Sequence, residues 1–147
     1  MSDQNKAFSR RNFEEVWNQR KLDLIDQLVA SNSVLHDPMV PGGKVNGSQG
    51  YRQFVETYLA AFPDLHFTIS DQIADGDKVV TRWTGTGSQQ GALMGIAATG
   101  KRATVTGITI DRYENGKAVE SWTNYDTLGM LQQLGVVPVL APAGTSA

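Results

Sequence analysis

This sequence predicts an α+β fold: a cone-shaped, curved antiparallel sheet with helices packed on its concave side. Two features carry the prediction. Apolar residues recur at intervals of three and four up to Phe62, and at intervals of two from Leu65 to Tyr125. Turn signals then cut the second region into successive strands: D-G-D at 75–77, T-G-K at 99–101 and E-N-G-K at 114–117. Helices followed by an antiparallel meander give α+β rather than a doubly wound parallel sheet. A curved sheet closed by helices leaves a conical cavity, a natural place for a small molecule.

The elements follow in order. Phe13, Val16 and Trp17 at i, i+3, i+4 mark a helix over about Asp3–Asn18, and Leu22, Ile25 and Leu28 mark a short second one over Lys21–Val29. S-V-L-H-D-P reads as a strand stopped at Pro38, and V-P-G-G-K-V-N-G as a loop. Tyr51, Phe54, Val55, Tyr58, Leu59 and Phe62 form the widest helical face, which Pro63 ends. Strands follow at L-H-F-T-I, K-V-V-T-R-W-T-G-T-G, A-T-V-T-G-I-T-I-D-R-Y and A-V-E-S-W-T-N-Y. A last helix covers about Thr127–Leu134. The whole chain, 1–147, reads as one domain with its core at about 8–136 and a loose tail at 137–147.

Composition narrows the function classes. A net charge of −2 gives no electrostatic reason to expect nucleic acid or an anionic membrane as partner. There is no cysteine, hence no disulfide, thiolate zinc site or cysteine nucleophile. The polar N-terminal stretch and the lack of a membrane-length apolar run point to the cytoplasm. His36 and His66 stand far apart with no acid at i+3 or i+4, so no metal site is recognisable. G-T-G-S-Q-Q-G at 85–91 leads out of a strand into a loop and is no dinucleotide fingerprint.

Alternation sorts Ala103, Val105, Gly107, Thr109 and Asp111 onto one face of their strand, and Val119, Ser121, Thr123 and Tyr125 onto one face of the next. Both faces are mixed, which suits a sheet covered by helices on one side and by a second subunit, in a homodimer, on the other.

Five stretches occur in order: A-F-P-D-L (61–65), G-D-K-V (76–79), G-A-L-M-G-I-A-A-T-G-K (91–101), N-G-K-A-V-E-S-W (115–122) and D-x-x-x-x-L-x-Q-L-G (126–135). Together they resemble the SnoaL-like polyketide cyclases, or ester cyclases, of the nuclear-transport-factor-2-like superfamily, over roughly residues 8–140. The resemblance implies a cone-shaped α+β fold and ring closure by an intramolecular aldol reaction without metal or organic cofactor. In that reaction a carboxylate takes a proton alpha to a carbonyl, and polar groups stabilise the enolate. Carried over from the N-G-K turn, the family's catalytic aspartate falls on Thr123 and its partner histidine on Thr109. The same correspondence turns Thr109, Thr123, Asp111, Ser121 and Tyr125 toward the pocket.

Each candidate has two readings. Asp126 starts an apolar helix, so it is either the cap of that helix or a catalytic acid. His36 is the best titratable candidate for general acid or base, against a histidine tied up at the loop mouth by Asp37. Asp37 itself, before a proline, reads as a turn residue. Asp111 is either a pocket residue or a solvated carboxylate near a strand end. Tyr58, Trp83, Met94 and Phe67 either line an apolar cavity or form plain core. His66 reads as solvent-facing or interfacial. Two functions stay open: an enzyme acting without cofactor on an apolar, oxygenated small molecule, or a non-catalytic binding or accessory protein that has lost the cyclase pair.

Overall fold

The computed structural model describes residues 2–140. Helix α1 (Ser2–Arg11) runs into a wide π-helical segment over Asn12–Asn18, which turns Phe13, Val16 and Trp17 inward. A 3-10 turn at Leu22–Leu24 leads to the short α2 (Ile25–Leu28), so the second helical stretch is two pieces rather than one helix. Then come β1 (Val29–His36), β2 (Lys44–Asn46), α3 (Gly47–Ala61), β3 (His66–Asp75), β4 (Lys78–Ser88), β5 (Arg102–Glu114), β6 (Lys117–Tyr125) and α4 (Thr127–Gln133).

The six strands form one curved, unclosed sheet in the order β2-β1-β6-β5-β4-β3. From β3 to β6 it is the expected antiparallel meander, with Gly76 and the Asn115–Gly116 pair supplying the positive φ that two tight turns need. Three details depart from the sequence reading. β1 returns from the helical layer to lie parallel to β6, so the sheet is mixed. The stretch expected as loop at 40–47 contains β2, which pairs with β1 and leads directly into α3. T-G-K closes an excursion over residues 89–101, held by the buried Gln89, whose amide oxygen accepts from the Thr99 backbone N–H and hydroxyl. Residues 137–140 carry no helix or strand, and the rest of the expected tail, 141–147, lies outside the described residues.

Helices α1 to α3 pack on the concave side. One apolar cluster joins Val16, Trp17, Ile25, Leu28, Val29 and Val55; another, under α4, joins Ala61, Phe62, Leu93, Ala103, Met130 and Leu134. Tyr58 and Leu65 touch both clusters, and the space between them stays open as the cone's interior. Gly107 is part of how that interior is shaped: it pairs with Trp83 across β4 and β5, and a Cβ there would come within 2.2 Å of the indole ring. Asp126 caps α4, its Oδ1 accepting from the Gly129 N–H at 2.9 Å. That geometry answers the cap-or-catalyst question in favour of the cap.

Candidate functional site

The interior is a cavity of ≈ 140 Å³ walled mainly by aromatic rings, among them Phe13, Trp17, Phe54, Phe67 and Trp83. Trp83, Phe67 and Trp17 meet edge-on, with centroids 5.1 Å apart in each successive pair, and this fixes the wall rigidly. The polar groups that line the cavity come from the helical layer, with Asn12, Tyr51 and Tyr58, and from the sheet side. The sheet side includes Asp37 just after β1, Thr109 on β5, and Ser121, Thr123 and Tyr125 at alternate positions of β6. The placement of those on β5 and β6 follows from register. Asp111 pairs with Ser121, Thr109 with Thr123 and Gly107 with Tyr125, so these side chains share the concave face in successive rows.

Asp37 is the most unusual of them. It is only 1% exposed. Its Oδ1 accepts from the Met39 backbone N–H at 2.9 Å, the expected turn bond. Its Oδ2 is buried with no hydrogen-bond partner among the described residues. Burial raises its pKa above the usual carboxylate value, against a smaller opposing effect of the Met39 bond. The sequence reading of Asp37 as a turn residue therefore covers one oxygen and misses the other.

Facing this carboxyl are Tyr58 of α3 and Tyr125 of β6, their hydroxyls 2.7 Å apart. Burial is the main cause that raises the pKa of both phenols and holds them neutral. For Tyr58 the adjoining Tyr125 adds next and the charge of Asp37 last. For Tyr125 the bond to Tyr58 opposes the rise, and the charge of Asp37 adds a smaller part. One O–H bond links the pair, which leaves one phenolic proton unspent.

Next along β6, Thr123 Oγ1 lies 2.9 Å from Thr109 Oγ1, and Trp83 Nε1 donates to Thr109 Oγ1 at 3.0 Å. Ser121 Oγ donates to Asp111 Oδ1 at 2.5 Å, and Ser9 of α1 adds a hydrogen bond to the same carboxyl. Asp111 is 8% exposed, and burial pushes its pKa up to about 6. It is therefore no solvated carboxylate at a strand end: β5 runs on to Glu114, leaving Asp111 inside the sheet and under α1. The sequence missed this because strand length, not residue type, decides burial there.

Two candidates lie elsewhere. His36 points to the opposite, convex face, where its Nε2 is 2.8 Å from Glu120 Oε2 and its ring stacks on Trp122 at 5.5 Å. Its register partner is Trp122, one residue out of phase with Ser121 and Thr123, which excludes it from the cavity. Met94 sits at positive φ in the 89–101 excursion, 38% exposed and away from the cavity wall. Tyr58, Trp83, Thr109, Ser121, Thr123 and Tyr125 border the cavity; Asp111 stands behind Ser121. His66 is exposed at the start of β3. No group of three or more acidic or histidine side chains among the described residues could hold a metal ion.

A helix-closed, curved six-stranded sheet around such a cavity is the cone-shaped α+β fold of nuclear-transport-factor-2-like proteins. Within that class the chain belongs to the SnoaL-like polyketide cyclases, whose family model matches residues 8–134. It is similar to the structure of a candidate polyketide cyclase of Acidithiobacillus ferrooxidans, with 33% identity and TM-score 0.79, covering 90% of this chain and 94% of that one. It is also similar to IdmH of Streptomyces antibioticus, a candidate polyketide cyclase, with 30% identity and TM-score 0.79, covering 90% and 99%. AclR of Streptomyces galilaeus, a candidate hydroxylase, matches with 28% identity and TM-score 0.81, covering 96% and 87%. No functionally curated protein matches closely enough to count as a relative. No helix among the described residues is long and apolar enough to cross a membrane.

Proposed function

We propose that this chain is a cyclase-like enzyme for an apolar, oxygenated small molecule, working by proton transfer without a cofactor, and that Asp37 is its base. The observation that carries the reading is the buried, unpartnered Oδ2 of Asp37 on the wall of an aromatic cavity. A carboxylate oxygen in such a place is costly unless something needs it, and burial strengthens it as a base once ionised. The position on which the family resemblance puts a catalytic aspartate holds Thr123 here, and the carboxyl of Asp37, just after β1, takes the place of that base.

The steps balance without redox. Asp37 takes a proton from a carbon alpha to a carbonyl. The unspent phenolic proton of the Tyr58–Tyr125 pair bonds the enolate oxygen. The enolate carbon attacks a second carbonyl of the same molecule, closing a ring by one C–C bond. The alkoxide so formed then recovers the proton from Asp37.

Turnover of a panel of aromatic polyketide esters and short keto esters, followed by mass spectrometry and NMR of cyclised product, tests the proposal. Ring closure by the wild-type protein supports it. Binding without any turnover across the panel supports instead the accessory-protein reading, which the Thr109–Thr123 pair favours.

We also propose a homodimer through the convex face. Ile73, Val80, Ile110 and Trp122 stand in one register row across β3, β4, β5 and β6, with the half-exposed Ile108 beside it. Such an apolar row on an open sheet suits a second copy. Light scattering of Ile110→Asp should read a monomer where the wild type reads a dimer.

A further inference from the structure

The cavity face of β6 carries three hydroxyls, and for two of them the direction of the hydrogen bond is set from behind. Indole Nε1 of Trp83 can only donate, so Thr109 Oγ1 accepts from it. A hydroxyl that accepts becomes the better donor, so the favoured sense passes the Thr109 proton to Thr123 Oγ1. The reverse sense makes Thr109 a double acceptor and breaks that cooperation. Thr123 is then left with its own proton facing the cavity, with no further partner among the described residues.

Ser121 has the opposite polarity. Its proton is committed to Asp111 Oδ1, away from the cavity, and only its lone pairs remain for a ligand. At neutral pH Asp111, with its pKa near 6, is mostly the carboxylate that holds this sense.

We propose that β6 reads its ligand by hydrogen-bond direction, Thr123 donating to a carbonyl oxygen and Ser121 accepting from a hydroxyl about 6–7 Å further along, the spacing of alternate strand residues. The ligand class is then a flat, apolar ketone with a hydroxyl at its far end. In this chain the residue at the position of the cyclase base, Thr123, is a hydrogen-bond donor to the ligand. The inference rests on the small-molecule pocket proposed above but not on turnover by Asp37.

The test is binding of three bicyclic probes, tetralin, 1-tetralone and 6-hydroxy-1-tetralone, read by quenching of the fluorescence of Trp17 and Trp83, which border the cavity. Wild type should prefer them in the order hydroxytetralone, tetralone, tetralin. Thr123→Val should weaken both ketones by about threefold to tenfold and leave tetralin unchanged, and Thr123→Ser should restore them. Ser121→Ala should bring hydroxytetralone down to the level of tetralone and leave the other two alone. Unchanged tetralin binding certifies an intact cavity in each variant. A tetralone-to-tetralin ratio that Thr123→Val leaves within about twofold of wild type overturns the directional reading. Equal weakening of all three probes by Ser121→Ala also overturns it. Failure of wild type to bind any of the three overturns the pocket itself, a result distinguishable from both.

Discussion

Two buried carboxyls stand on the concave side of this sheet, and they are treated differently. Asp111, three residues before the end of β5, has a hydroxyl on it from Ser121 and another from Ser9. Asp37, just after β1, has one oxygen used by a turn and the other buried without a hydrogen-bond partner among the described residues, in a residue that lines the cavity. Burial raises the pKa of both. A satisfied carboxyl orients its neighbours; an unsatisfied one beside a cavity keeps lone pairs that nothing in the described fold uses. On the proposed mechanism, the contrast gives Asp111 a positioning role and makes Asp37 the base.

The largest effect that separates them is on rate. Asp37→Asn keeps the Met39 bond and the volume, and should cut kcat for ring closure by about 10²–10⁴-fold. Asp111→Asn should change it by less than about tenfold. Comparable losses from the two variants would erase the distinction.

Stability should separate them in the opposite sense. Because the folded chain holds the Asp111 proton more tightly than the unfolded chain does, this group stabilises the fold at low pH. That contribution is lost as pH rises through about 6. Asp111→Asn removes the cost of the buried charge while keeping an acceptor for Ser121. Urea denaturation should therefore show it more stable than wild type by about 1–3 kcal/mol at pH 8, with the gain shrinking toward zero near pH 4. A destabilised Asp111→Asn at pH 8 would mean that the carboxylate's hydrogen bonds outweigh its burial.

A smaller loss is expected at the tyrosine pair. Tyr125→Phe leaves Tyr58 as the lone donor without its partner and should lower kcat by about tenfold, with little change in KM. The smallest effect belongs to His36→Ala on the convex face, where the Glu120 contact is only part-buried and away from the cavity. Its turnover should match wild type, and its stability should fall by no more than about 1 kcal/mol. A large loss of turnover would return His36 to the site.

Much of the fold was legible because local periodicity carried it: the switch from a three-four repeat to a two repeat, and Asn115–Gly116 or Gly76 at turns that need positive φ. The rows on β5 and β6 were legible to the extent that alternation ties Thr109 to Asp111 and Ser121 to Thr123 and Tyr125. What alternation lacks is parity. In S-V-L-H-D-P both Val34 and Leu35 are apolar, so either His36 or Asp37 can point inward. The choice is made by parallel pairing with β6, more than eighty residues away, which sets Leu35 opposite Ser121 and His36 opposite Trp122. That contact leaves no local signature. The bare oxygen of Asp37 is likewise a property of packing, invisible in residue type.

The most direct test of Asp37 as the base is wash-in of deuterium alpha to the carbonyl of 2-tetralone in D2O, followed by NMR with wild type and Asp37→Asn. This reads proton abstraction alone, whatever the natural substrate. The expected result is exchange well above the buffer rate with wild type and a fall of at least about a hundredfold in the variant. Equal exchange by the two proteins, or none above buffer with wild type, would contradict it.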